Sequence, residues 1–268
     1  MADIFLNYSL YIFFGILPSF LWLQFYLRKD VHPEPKSMVL KVFFYGMLFT
    51  IPASFLETII FKIVSPLERF YFPNSAIFIL NVFLAIALVE EYLKFLIVKQ
   101  RVLDDSEFDE PVDAMIYMII AGLGFAAAEN ILILISAGNQ GSVIGGFLRP
   151  LDTAFLGEIF GISILRFFGA TFLHALASAI VGFFIGLSFF EKKKRNKLIS
   201  IGLILAVILH GLYNFSITSS NLLSRIFGTI IKPEQLNFLI PFFLLLVSAI
   251  FVSFAFKKLK TIAKFDKN

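Results

Sequence analysis

Long apolar runs constrain this chain more than any other feature. Seven stretches, 9–27, 39–61, 76–98, 112–137, 167–190, 198–218 and 236–256, are almost wholly apolar. Each is long enough to cross a hydrocarbon core of roughly 30 Å as a helix. In lipid the backbone has to satisfy its own N–H and C=O groups, which leaves helices or a closed barrel. Continuous runs, rather than alternating ones, select helices. The expected fold is all-α, a polytopic transmembrane helical bundle of about seven spans forming a single integral-membrane domain over 1–268. Composition agrees: 59% of residues are hydrophobic, 36 are Phe, and only 16% are charged. A soluble domain carries about a quarter charged residues, so a soluble globular fold is excluded, and disorder with it. The chain has no Cys, which removes disulfides, thiolate zinc sites and Cys nucleophiles.

Cationic residues divide unevenly between alternate connections. Arg28, Lys29 and Lys36, then Lys99 and Arg101, the five cations of the run Lys192 to Lys197, and five lysines from Lys257 onward fall on one side, fifteen in all; six fall on the other. The positive-inside rule puts the amino terminus outside and the carboxyl terminus in the cytoplasm of a cytoplasmic-membrane protein. The net charge of +4 therefore records orientation, and no nucleic-acid partner is expected. With only Asp3 charged ahead of it and no basic stretch, the first span is expected to be a retained helix. Between Gly138 and Arg166 the apolar piece 151–165 is short and contains Glu158, which suggests an interfacial or re-entrant helix. An eighth span there would break the charge count.

Charges inside the spans are costly, about 2.5–3.5 kcal/mol each at a helix centre, so they need partners, water or a purpose. The third span contains Glu90, Glu91 and Lys94. Glu90 and Lys94 are i,i+4, and Glu91 and Lys94 are i,i+3, so one ammonium neutralises one carboxylate and leaves the other over. Two carboxyl groups in a desolvated place cannot both ionise cheaply, as expected of a general acid or base. A buried ion-pair cluster that only fixes packing is the alternative. The fourth span carries Gly122 and Gly124, where a neighbouring backbone can approach, followed by Glu129 and Asn130. Ala170, His174, Ser178 and Gly182 form a small, polar stripe on the fifth span, and His210 and Asn214 share a face of the sixth. Carboxylate and imidazole groups can activate water directly, or hold a divalent metal such as zinc that does so. No H-E-x-x-H or G-x-S-x-G motif is present to favour a known metal helix or a Ser nucleophile.

Taken in order, Glu90-Glu91-x-x-Lys94, Phe125-x-x-x-Glu129-Asn130, His174-Ala175 and His210-x-x-x-Asn214 resemble the motifs of the PrsW family of intramembrane proteases, related to the CAAX prenyl endopeptidase and bacteriocin-processing superfamily. The acidic, Pro-containing segment Asp30 to Pro35 is similar to the one that precedes the second span there, so the resemblance covers about 30–215. It implies an endopeptidase that cleaves a membrane-protein substrate, single-pass or anti-sigma-factor-like, in the bilayer. It implies a site built from Glu90, Glu91, Glu129, His174 and His210, with Lys94, Asn130 and Asn214 in support. Glu90 or Glu91 would be the base. Glu91, Glu129, His174 and His210 would be the ligands of any metal, and Asn214 an oxyanion donor or an orienting group. Two other functions use the same residue types: a proton- or cation-coupled transporter, and a scaffold or immunity protein that keeps the fold without catalysis.

Overall fold

The computed structural model describes residues 2–29, 32–66, 74–103, 105, 108, 110–139, 152–219 and 233–266. Arg69, Asp104, Glu107, Asp109, Arg149, Arg225 and Lys232 lie outside the described residues, as do Asp30 and Val31. Among the described residues there is no strand. The helices are α1 (Ala2–Leu27), α2 (Lys36–Val64), α3 (Asn74–Leu80), α4 (Val89–Arg101), α5 (Asp113–Gly138), α6 (Thr153–Phe168), α7 (Ala170–Leu187), α8 (Arg195–Thr218) and α9 (Pro233–Asp266). They supply seven segments long and apolar enough to cross a membrane, in the places the apolar runs indicate. Their outer faces are lined with exposed Phe and Ile side chains, including Phe5, Phe13, Ile51, Phe55, Phe238 and Phe254, a surface suited to lipid.

Helix α5 is the axis of the bundle. From Asp113 to Ala127 every residue is buried, the pattern of a helix surrounded by protein. Helices α1, α2 and α7 pack directly on it. Two glycine contacts set the spacing: a Cβ on Gly46 of α2 would stand 2.3 Å from the Ala121 carbonyl oxygen, and one on Gly124 would stand 2.1 Å from that of Phe43. Only glycine permits such a backbone approach, and it brings α2 against the helix that carries Glu129.

Two elements differ from regular spans. Asn81–Leu88, between α3 and α4, is a π-helix, whose i→i+5 bonding rotates the phase of the residues that follow. Glu90 and Glu91 both face inward after it. The sequence pattern of an apolar helix does not distinguish α from π bonding, so this element is invisible in it. The second difference is at α6. The short apolar piece expected as an interfacial or re-entrant helix runs into α7 with only Gly169 between, and the combined segment spans Thr153–Leu187. Its 35 residues would extend about 52 Å as one straight helix, well beyond the hydrocarbon thickness. The chain breaks instead at Gly169 into two shorter helices. Asp152 caps the start of α6, its Oδ1 accepting the Phe155 N–H at 2.8 Å. Tyr11 packs on Phe155 and Trp22 on Phe167, so α6 runs alongside α1 in the same direction. Helix α7 then continues that way, antiparallel to α5, with Gly122 beside Ser178 and Gly182 beside Ala114. The half-helix does not turn back, so the fifth span begins earlier than its apolar run suggests.

Candidate active site

Lys94 is the hub. On α4 its side chain is fully buried, and its ammonium donates to Glu91 Oε1 at 2.7 Å and to Glu90 Oε2 at 3.2 Å. It also lies 2.7 Å from His174 Nδ1. An ammonium can only donate, so His174 Nδ1 accepts and the ring proton sits on Nε2. That proton is directed to Glu129 Oε2, 3.0 Å away. His210 Nδ1 lies 2.8 Å from Glu91 Oε1, the oxygen that already accepts from Lys94, and donates its ring proton to it. His174 Nδ1, whose one lone pair accepts from Lys94, and His210 Nε2, whose lone pair is unused, lie 3.8 and 3.9 Å from Glu90 Oε2. The two rings stand edge to face with centroids 5.2 Å apart.

Local sequence explains how these groups meet. Phe125, one turn before Glu129, lies under the Lys94 ammonium at 4.7 Å and beside the His174 ring at 5.9 Å, so it shapes the hub as well as packing α5. Glu91 stands ten residues from the end of α4, about 15 Å of rise, and Glu129 sixteen from the start of α5, about 24 Å. The imidazole of His174 links the two helices, with Nδ1 on Lys94 of α4 and Nε2 on Glu129 of α5. Gly211, next to His210, lets Phe83 of the π-helix within 2.3 Å of where its Cβ would be, drawing α8 toward the carboxylates.

Ligand atoms of Glu90, Glu91, His174 and His210 lie within 4.8 Å of one another, and all four side chains are buried. Glu91 Oε2 is buried without a hydrogen-bond partner among the described residues. Two carboxylates and two imidazoles so disposed suit a borderline divalent cation such as zinc, whose donors at about 2 Å stand roughly 3–4 Å from one another. Charge points the same way: among the described residues, four carboxylates at Glu57, Glu90, Glu91 and Glu129 face two permanent cations, Lys94 and Arg166. Glu129 lies behind His174, outside this four-donor group.

Asn130 joins elements rather than the hub: its amide donates to the Gly15 carbonyl and to Thr171 Oγ1, both at 3.1 Å, and its oxygen accepts from Arg166 Nε. The Asn214 side chain has no hydrogen bond to the cluster among the described residues. Two residues that the sequence reading passes over belong here. Arg166, from α6, pairs with Glu129 Oε2 at 3.0 Å. In the sequence it counts among the six cations of the less basic side, at the end of the stretch from Gly138. Glu57, half-buried on α2, lies within electrostatic reach of Glu129 and Lys94. The cost of a lone carboxylate inside the second span is the signal that would have found it. Glu129 is 27% exposed and Arg166 16%, whereas Glu90, Glu91, Lys94, His174 and His210 are 3% or less, so the site opens past Glu129 and Arg166.

Comparison with known proteins matches the geometry. Residues 34–252 match the model of the PrsW family intramembrane metalloproteases, which extends beyond the sequence motifs into α9. Protease PrsW of Geobacillus kaustophilus (strain HTA426) is 32% identical over 205 residues, 75% of this chain and 76% of the relative. Protease PrsW of Bacillus subtilis (strain 168) is 31% identical over 207 residues, covering 76% and 81%, and that of Clostridioides difficile (strain 630) is 26% identical over 205, covering 75% and 76%. No solved structure matches the chain. Buried acid and imidazole groups on four helices of a membrane bundle, and a family match over most of its length, lead to one conclusion: the chain belongs to the PrsW family of intramembrane metalloproteases.

Proposed function

We propose that this multi-pass intramembrane protease hydrolyses a peptide bond within or beside the transmembrane segment of a single-pass substrate of the anti-sigma-factor type. The buried Glu90–Glu91–His174–His210 cluster is the observation that carries this reading. In it, His174, His210 and Glu91 would hold a metal, with the Lys94 ammonium withdrawing from His174 Nδ1 to admit it, and Glu90 would be the base. When bound, a divalent metal such as zinc lowers the pKa of water and polarises the scissile carbonyl. Glu91 Oε1 is fixed by two short hydrogen bonds, from Lys94 and His210, and its other oxygen is free to ligate. Glu90 has one longer bond, at 3.2 Å, which leaves its carboxylate able to take the proton of the attacking water and return it to the leaving amine. Glu129 holds His174 through Nε2–H, the carboxylate–histidine arrangement that orients a metal-binding imidazole. Arg166 holds Glu129 in turn and stands at the opening, where a substrate backbone enters. The cationic side of the bundle faces the cytoplasm of a cytoplasmic membrane, with the amino terminus outside. A relationship to the CAAX prenyl endopeptidase superfamily accords with the order of the motifs.

The test compares new protein amino termini in membranes from cells producing wild type or the Glu90→Gln, Glu91→Gln double variant at matched levels. Termini in single-pass proteins that appear only with wild type are expected. Identical sets would remove the proteolytic assignment and favour transport or scaffolding.

A further inference from the structure

At the basic end of the bundle, α4 and α8 diverge. The gap is a cavity of about 470 Å³ lined by Phe95, Lys99 and Leu103 on one side and by Arg195, Ile199 and Leu203 on the other. A second cavity, of about 400 Å³, shares Leu103 and Arg195 and adds Lys192. Among the described residues no acidic side chain lines either cavity. Lys194 is paired with Glu191 at 3.0 Å, whereas Lys99, Lys192 and Arg195 have no ion pair among the described residues. The lining is graded. Cations form the rim, and one or two helical turns deeper Phe95, Ile199 and Leu203 form an apolar floor. A rim of unpaired cations above a floor open to the hydrocarbon is complementary to a phosphodiester headgroup with the first part of its acyl chain.

We propose that this cavity binds an anionic phospholipid, with Lys99 and Arg195 on its phosphate and Lys192 beside it. The two helices it joins are those of the active site. Phe95 follows Lys94 directly, and α8 carries His210, whose 2.8 Å bond to Glu91 links the same pair of helices. A lipid seated between their ends braces that bond. Binding is independent of the proposed chemistry; its effect on cleavage rests on that chemistry.

The experiment uses the purified full-length protein, titrated in detergent with phosphatidylglycerol or phosphatidylcholine and examined by native mass spectrometry. The Lys99→Gln, Arg195→Gln pair is set against Lys193→Gln, Lys197→Gln, which removes the same charge from the same side without touching either cavity. Wild type and the control pair should retain phosphatidylglycerol in preference to phosphatidylcholine. The cavity pair should bind it about tenfold more weakly or worse, with an unchanged melting temperature in phosphatidylcholine. Equal loss in both pairs would show general surface charge and overturn the site, as would full retention by the cavity pair. Displacement of the lipid by millimolar inorganic phosphate would replace it with a free-anion site.

Discussion

A single ammonium serves three acceptors in this protein, and that economy explains why the E-E-x-x-K spacing works. One helical turn puts both carboxylates within reach of Lys94, and His174 arrives from another helix to accept the third bond. The carboxylates were legible in the sequence because charges inside apolar runs are costly. Their division of labour was not, since it depends on which oxygens His210 and Lys94 reach across helices. Glu57 and Arg166 show the same limit. Each is one charge without a neighbouring motif, and only packing shows that they face Glu129. The assignment of roles predicts separable losses. Glu91→Gln, His174→Ala and His210→Ala should lose bound metal, measured by elemental analysis of the purified protein, whereas Glu90→Gln should keep it and lose cleavage. Glu129→Gln should weaken metal binding by about 10- to 100-fold, as expected for a residue that orients a ligand. Full metal content in Glu91→Gln, or its loss in Glu90→Gln, would exchange the two roles.

Elements bring these residues together, and glycines decide how closely. The small residues of the fourth span indicated a close neighbour but not which helix it would be. In the structure Gly122 faces α7 and Gly124 faces α2, so one short stretch positions both His174 and the wall that holds Glu57. The π-helix and the break at Gly169 were not legible, because apolar periodicity reports burial and not the bonding register within a span. Arg166 made the break harder to see: an ion-paired charge can lie inside a helical segment, whereas the same residue unpaired would mark its end. Gly124→Ala should destabilise the protein by about 1–3 kcal/mol, because the Phe43 carbonyl has no way to retreat from a methyl group. It should also lower activity by displacing Glu129. Gly157→Ala, on an open face of α6 with nothing within 4 Å, should be neutral or slightly stabilising. Thermal unfolding in detergent reads both, and equal effects would show that the close approach of α2 and α5 is not required.

At the scale of the whole molecule, the distribution of charge and the path into the site have to agree. Glu91 and Glu129 stand at different heights above the basic end, and the exposed groups, Glu129 and Arg166, belong to the higher level. If the basic end is cytoplasmic, the site opens toward the outer half of the bilayer, and a substrate helix is cut nearer its external end. Orientation is therefore a statement about where cleavage falls. The absence of Cys makes it directly measurable, because a single introduced thiol is the only one in the chain. Ser65→Cys, just after α2, should react with a membrane-impermeant maleimide on intact cells, and Lys193→Cys, just before α8, only after permeabilisation. The opposite pattern would invert the bundle, move the opening of the site to the cytoplasmic half, and place the scissile bond at the other end of the substrate's transmembrane segment.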